Sequence, residues 1–204
     1  KTPMFSDRIQ YLEFNPTWTV PQSIAAKQKL PQIRKDPGYL NRNNFHLYAG
    51  WGSNAARLDP YSIDWSRITS ARMNEFKLVQ QPGANNALGR VKFMFPNKFA
   101  VYLHDTPARS LFTRSARAFS SGCVRLHHPM DFADYILSTT GNWSPGRIKS
   151  TVNSARRTVV NLNSPVPVHL TYFTAWTDPN GTPQFFPDIY DRDPLVDRIL
   201  NGAV

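Results

Sequence analysis

Val91-Lys92-Phe93-Met94-Phe95 and Phe99-Ala100-Val101-Tyr102-Leu103-His104 are two strand-like runs, joined by Pro96-Asn97-Lys98. Apolar and aromatic residues in runs of this length, separated by a short link with proline and asparagine, are typical of a β-hairpin. The predicted hairpin delivers His104 to a strand end.

Strand-like segments recur on both sides of this hairpin, and the helical segments are short. Seventeen prolines spread over 204 residues argue against long helices. The sequence therefore predicts a mainly β fold with a few helices. Further strands are predicted at 9–14, 76–81, 158–162 and 166–172, with a hairpin turn at 178–181. Helices are predicted at 23–35, 37–43, 131–137 and 145–155.

Residues 22–75 differ from the segments around them. After the first two predicted helices the stretch is polar, is broken by Asp59-Pro60, and contains scattered aromatic residues. We interpret it as an inserted, partly helical lobe on a single β domain that covers residues 1–204. A chain of this length with 41% apolar residues fits one domain carrying such an insertion better than two independent domains.

The net charge of +10 attracts polyanions such as nucleic acid, anionic lipid headgroups or cell-wall polymers. The basic residues are scattered, and the sequence shows no zinc-finger spacing, basic region or RNA-binding aromatic signature, so we predict no nucleic-acid partner.

No apolar run approaches the ~18 residues of a transmembrane helix. The first residues also lack the pattern of a signal peptide.

Cys123 is the one cysteine of the chain, so no internal disulfide is possible. A lone cysteine is commonly a small buried apolar residue, but this one lies in Ser120-Ser121-Gly122-Cys123-Val124-Arg125, a polar turn before an apolar segment. Such a turn offers exposure, free backbone N–H groups and a nearby cation that lowers the thiol pKa. Gly122 lets the backbone approach a substrate carbonyl. Arg125 is a candidate for the cation, or for a clamp on a substrate carboxylate.

A nucleophilic cysteine needs a base, and His104 is the natural candidate. A histidine accepts the thiol proton and later protonates the leaving amine. His127 and His128 are read as a surface pair, and His46 and His169 lie in strand-like stretches. Spacing alone does not separate a catalytic His104 from a structural one.

His104-Asp105-Thr106-Pro107, followed by the Cys123 turn, resembles the His…Ser-x-Gly-Cys signature of the L,D-transpeptidases, the YkuD-like family. Fifteen residues separate His104 from Ser120, as that pattern requires. The resemblance covers nearly the whole chain and is strongest to the larger Gram-negative subgroup. It implies a sandwich-like or barrel-like catalytic domain with a capping subdomain at about residues 22–75. Many members have histidine where this chain has Ser121, and relatives often carry an N-terminal peptidoglycan-binding module that this sequence begins too late to contain.

The resemblance also implies a mechanism. The Cys123 thiolate, with His104 as base, attacks the amide between the third-position diamino acid of a donor stem peptide and its terminal D-Ala. A thioester remains, and the side-chain amine of a second stem converts it into a cross-link between two third-position residues. Water as acceptor would give L,D-carboxypeptidase trimming. Backbone N–H groups near Gly122 and Cys123 are expected to hold the oxyanion, and a carbonyl just after His104 is expected to orient the imidazole.

The catalytic residues implied are thus Cys123, His104 and Gly122, with substrate contacts around them. No metal and no cofactor are expected. For Tyr102 and Trp18, packing is an equally good explanation. The expected substrate contacts are Tyr102, Ser120, Ser121, Arg125 and Trp18.

Location and inhibition follow from the same resemblance. Peptidoglycan lies outside the cytoplasmic membrane, so a periplasmic protein that acts in cell-wall organisation and cell shape is expected, with its export signal outside this sequence. Carbapenems are expected to acylate Cys123.

A papain-like protease is disfavoured because its cysteine precedes its histidine, whereas here His104 comes first. A non-catalytic peptidoglycan-binding protein stays an alternative.

Overall fold

The computed structural model describes residues 1–202, and a five-stranded sheet lies at its centre. Its strands in spatial order are β8 Val124–Arg125, β7 Leu103–His104, β6 Val91–Met94, β1 Phe5–Phe14 and β9 Thr158–Leu170. Neighbouring strands are antiparallel except β7 and β8, which are parallel. The predicted mainly β class with a few helices is confirmed.

One face of this sheet carries the main hydrophobic core. Leu12 pairs with Phe93 on β6 and with Val160 on β9, and all three side chains are buried. Ile136 and Ile148, from two helices that pack on this face, belong to the same cluster. Burial of such side chains stabilises the fold by about 1.5–3 kcal/mol each. The two helices are α4 Pro129–Leu137 and α5 Pro145–Asn153.

The predicted central hairpin forms, but its second strand is shorter than predicted. The pairing covers only Leu103–His104, and residues 95–102 form a loop. The side-chain amide of Asn97 donates to two carbonyls and accepts from two N–H groups of this loop, over 2.6–3.3 Å. Ala100 has a φ of 52°, in the left-handed region that strands do not use. The backbone of the loop is therefore satisfied by a side chain instead of a neighbouring strand.

A second, four-stranded sheet lies within residues 18–80 and has its own hydrophobic cluster. Residues 22–35 are helical throughout, with a π-helical turn at Ala25–Lys29 between two short α-helices. The sheet order is β2 Trp18–Thr19, β5 Phe76–Gln80, β3 Phe45–Ala49 and β4 Arg57–Leu58. The helices are α1 Gln22–Ile24, α2 Leu30–Lys35 and α3 Gly38–Arg42. That these residues form an inserted capping subdomain stays a prediction.

The C-terminal part differs from the prediction in two places. The strands expected at 158–162 and 166–172 are one strand, β9, whose pairing with β1 shifts register opposite Ile9–Tyr11. An irregularity in the pairing therefore replaces the expected break. The predicted hairpin at 178–181 joins β10 Ala175–Thr177 to β11 Pro183–Phe185, and a helix that was not predicted follows, α6 Asp193–Leu200. Across residues 1–202, every helix is too short or too polar to cross a membrane.

Candidate active site

The parallel pair β7–β8 brings four of the predicted site residues together. His104 lies opposite Arg125, and continuing the same register places Tyr102 opposite Cys123. Side chains two residues apart on a strand share a face of the sheet. The rings of Tyr102 and His104 meet edge to face with centroids 5.8 Å apart. Two strands that are adjacent in space but separated by a long loop thus assemble one compact group of side chains.

The Cys123 sulfur is half-buried against the loop at 95–102, which includes Tyr102. Sγ lies 3.9 Å from the carbonyl oxygen of Ala100, to which the thiol donates a weak hydrogen bond, and the phenol and main-chain N–H of Tyr102 act on the pKa of the thiol. Burial raises the pKa of the Cys123 thiol above its usual value, against the pull of the two Tyr102 donors. The expectation that a nearby cation lowers this pKa is therefore wrong, and the raised pKa favours the neutral thiol over the thiolate.

His104 is buried, and its imidazole is held in one orientation. Nδ1 lies 2.5 Å from the backbone carbonyl oxygen of Asp105, which can only accept, so Nδ1 carries the proton. This is the carbonyl contact that the family resemblance implied. Burial lowers the pKa of His104 to about 4, opposed by that hydrogen bond and assisted by the charge of Arg125. The ring is therefore uncharged at neutral pH, and its Nε2 lone pair is free to accept a proton.

The Asp105 side chain anchors the loop that holds His104. Its buried carboxylate accepts from the N–H groups of Arg90 at 2.7 Å and Thr106 at 2.6 Å, and from the Arg109 guanidinium at 2.5 Å. Hydrogen bonds to a charged acceptor are about twice as strong as neutral ones. The Asp105 carboxylate therefore supports the site indirectly, because it fixes the backbone carbonyl that orients the imidazole.

The turn before β8 leaves one backbone N–H donor free beside the Cys123 thiol. Gly122 has a φ of 145°, in a region closed to most side chains, and its N–H donates to Ser120 Oγ at 3.1 Å. The N–H of Val124 points toward β7, where it bonds to a carbonyl at 3.2 Å. Because N–H directions alternate along a strand, the N–H of Cys123 points toward the outer edge of the sheet. Of the two expected oxyanion donors, Cys123 N–H is available and Gly122 N–H is engaged.

A cavity of about 280 Å³ opens beside Cys123. Its charged lining residues are both cationic, Arg117 and Arg125, which favours a substrate that carries carboxylates. Ser120 lines it as well. The other lining residues are Thr2, Ala108, Leu111, Phe112, Ala118, Phe119, Val124 and Tyr190.

Comparison with known proteins identifies the family of this chain. The model of the L,D-transpeptidase catalytic domain, YkuD, matches residues 1–168. The chain belongs to the YkuD family. A Haemophilus influenzae protein that carries the provisional name of an L,D-transpeptidase is 37% identical over 194 residues. The alignment covers 95% of this chain but 38% of that relative, so the YkuD chain spans well under half of the relative's length.

Two of the predicted substrate contacts of this YkuD chain lie away from the Cys123 cavity. Trp18 is on the second sheet, where its ring lies 6.3 Å from that of Phe45, and it lines a separate cavity. Ser121 is exposed, and it does not line the Cys123 cavity. The structure brings together Tyr102, Ser120 and Arg125 with the cysteine. The binding roles of all five stay predictions.

A row of charged residues crosses the sheet to His104, and sequence reasoning missed it. Glu13 is buried, and each of its two carboxylate oxygens accepts a hydrogen bond from the Arg157 guanidinium, at 2.7 and 2.9 Å. Lys92, 3.2 Å from Glu13, lies opposite His104 and over the ring of Tyr102 at 5.8 Å. The position of Glu13 between two apolar residues of the predicted strand 9–14 was the sequence signal that could have revealed it. One buried carboxylate between two cations thus supports the sheet beneath the site.

The N-terminus and the C-terminal segment meet behind the cysteine turn, which the sequence also did not predict. Thr2 Oγ1 donates to the Gly122 carbonyl at 3.0 Å, and the Tyr190 hydroxyl accepts from the Thr2 N–H at 3.2 Å. Tyr190 stacks on Tyr172 with centroids 4.9 Å apart. Tyr190 lies beyond the residues matched by the YkuD model, yet it lines the cavity.

Among the residues that the structure describes, no group of three or more His, Cys, Asp or Glu side chains is placed to hold a metal ion. The rings of His127 and His128 are in tilted contact with centroids 4.3 Å apart, and the ring of His127 lies 4.7 Å from that of Phe112. These histidines make an aromatic contact beside the cavity.

Proposed function

We propose that the chain is a periplasmic cysteine acyltransferase that cross-links peptidoglycan stem peptides through third-position residues. The observation that carries this proposal is a thiol and a neutral, oriented imidazole on one face of the β7–β8 pair, beside an open cationic cavity. A cysteine with an adjacent base is the arrangement for covalent acyl transfer. Stem peptides carry several carboxylates, which suit that cavity.

In the first half-reaction, His104 Nε2 takes the Cys123 thiol proton as sulfur attacks the carbonyl between the diamino acid and D-Ala. The phenol of Tyr102 donates to the sulfur, where negative charge develops during proton transfer. The Cys123 N–H donates to the tetrahedral oxyanion, a contact worth about 3–4 kcal/mol in other acyl-transfer enzymes. His104 then gives its proton to the leaving nitrogen, the C–N bond breaks, and a thioester remains.

In the second half-reaction, an amine of another stem attacks the thioester and loses a proton to His104. The C–S bond breaks, and the sulfur takes that proton back, which restores the thiol. Water in place of the amine would release a tripeptide stem. We assign the amine as the acceptor because a basic, partly apolar cavity favours a bound peptide over free water.

Purified disaccharide tetrapeptide, incubated with the protein and analysed by liquid chromatography and mass spectrometry, tests this function. We expect free D-Ala together with a cross-linked dimer, and neither with Cys123→Ala. D-Ala with tripeptide and no dimer would identify an L,D-carboxypeptidase instead. No turnover, with the protein retained on insoluble peptidoglycan, would favour the non-catalytic binding protein.

The pH dependence of acylation follows from the two pKa shifts. His104 has a pKa lowered to about 4, so it stays a competent base until the pH falls to that value. The thiol pKa is raised, so ionisation of free thiol contributes only at alkaline pH. We therefore expect the acylation rate constant by a carbapenem to be flat from about pH 5 to 8 and to fall below, measured by stopped-flow absorbance.

An acid limb centred at pH 6–7 would contradict this prediction, because it would report an ordinary histidine. The folded fraction of the protein must be measured at each pH as well. Between pH 6.5 and about 4 the unfolded state binds the His104 proton more readily than the folded state, so stability falls as the pH drops. Circular dichroism at each pH separates that loss from protonation of the folded site.

A further inference from the structure

A second cavity of about 230 Å³ lies between the second sheet and the loop after β7. Arg125 and Ala108 line both this cavity and the one beside Cys123, so the two cavities share part of their walls. Trp18 and Lys29 line its far side. We call it the lobe cavity.

The charged groups that line the lobe cavity are Lys29 and Arg125, and both are cations. In the described part of the chain neither forms a salt bridge, and the Arg125 Nε is buried without a hydrogen-bond partner. Two acids in the chain segments that line the cavity have partners already: Asp36 pairs with Arg42, and Asp105 is held by Arg109 and backbone N–H groups. Two cations share a cavity that supplies no carboxylate.

Lys29 is held in place by aromatic residues instead of by an acid. Its ammonium lies 5.4–5.6 Å from the ring centroids of Trp18, Tyr39 and Phe45, and donates to the Tyr39 hydroxyl at 3.0 Å. Rings at this distance attract a cation and displace part of its water. The ammonium has three N–H donors, so a ligand can use those that Tyr39 leaves. A fixed, partly desolvated cation binds a carboxylate more tightly than a mobile surface lysine does.

We propose that Lys29 and Arg125 form a carboxylate site for the acyl acceptor. This inference rests on the proposed function, which requires two peptides at one cysteine: the donor occupies the Cys123 cavity and leaves the adjoining lobe cavity for the second peptide. In diaminopimelate the attacking amine and a carboxylate share one carbon atom. In a lysine side chain the amine stands alone. The two cations therefore select acceptors of the diaminopimelate type.

Direct binding to the full chain carrying Cys123→Ala tests this site without any need for turnover. The probes are tripeptide stems ending in meso-diaminopimelate or in lysine, titrated by isothermal calorimetry. We expect the diaminopimelate stem to bind at least about tenfold more tightly. Adding Lys29→Gln should reduce that ratio to about two or less, while Lys27→Gln, an exposed neighbour in the same helical segment, should preserve it.

Equal binding of the two stems, or an unchanged ratio with Lys29→Gln, would overturn the proposal. A diaminopimelate stem with its side-chain carboxylate converted to an amide should bind like the lysine stem. Thermal unfolding of Lys29→Gln and Lys27→Gln checks that both variants are folded. Because the nucleophile is absent, a failure of the proposed acyl transfer leaves these outcomes unaffected, and the two failures are distinguishable.

Discussion

Replacing Cys123 by alanine is expected to abolish covalent modification by a carbapenem, as seen by intact-protein mass spectrometry. The parent chain should gain the mass of one β-lactam, because an opened lactam ring leaves an acyl group on sulfur. Cys123 is the sole cysteine of the chain, so no other thiol can take its place. The variant removes a partly buried sulfur without adding bulk and is expected to fold.

His104→Ala is expected to slow the same acylation by about 10²–10⁴-fold, the usual contribution of a positioned base. The raised thiol pKa makes the dependence strong, since little thiolate exists without a base. His128→Ala is the matched control, because that imidazole is exposed and does not line the cavity. An adduct on Cys123→Ala, or equal rates for His104→Ala and the parent, would refute the assignment of nucleophile and base.

His104 and Cys123 could each be singled out from the sequence, because each carries a local signal. His104 closes a strand-like run, and Cys123 follows a glycine in a polar turn. Their juxtaposition was not predictable from these signals, because it depends on the parallel register of β7 and β8 across a long loop. The direction of the thiol pKa was also missed, since burial is a tertiary property that overrides the effect of a nearby arginine.

Elsewhere, the predictions failed where side chains or long-range pairing override local pattern. The run at 99–104 reads as a strand, yet Asn97 satisfies the loop backbone and prevents pairing before Leu103. The stretch at 158–172 reads as two strands, yet pairing with β1 carries it through as one. The contact of Tyr190 with Thr2 joins the two ends of the described chain, and no local signal predicts such a contact.

Gly89→Ala is expected to be the most damaging change outside the reacting groups. Gly89 has a φ of 63°, and a Cβ added there would lie 2.5 Å from the Cβ of Asp105 and closer still to its carboxyl group. The left-handed backbone costs a non-glycine residue about 1–2 kcal/mol. Displacing a buried, hydrogen-bonded carboxylate adds about 1–3 kcal/mol. Together these lower the free energy of unfolding by about 2–5 kcal/mol.

The effect on chemistry follows from the same contact. Gly89 lies against the Asp105 side chain, and the Asp105 carbonyl accepts from the Nδ1 of His104. A Cβ at residue 89 would therefore displace Asp105 and turn the imidazole away from the cysteine. A misplacement of about 1 Å costs roughly 10²-fold in rate. We therefore expect Gly89→Ala to lower the melting temperature by about 4–20 °C and to slow carbapenem acylation in the fraction that remains folded.

Gly83→Ala separates this mechanism from a general intolerance of that turn. A Cβ at Gly83 would meet only the Asn44 side chain at 3.8 Å, which is ordinary contact, so its stability and acylation should match the parent. Acylation at the parent rate in folded Gly89→Ala would mean that the Asp105 carbonyl is not what orients His104. Loss in both glycine variants would mean that the turn as a whole, and not its contact with Asp105, supports the site. Loss in Gly89→Ala alone would tie the reactivity of Cys123 to a glycine distant from it in sequence, through one carboxylate and one imidazole.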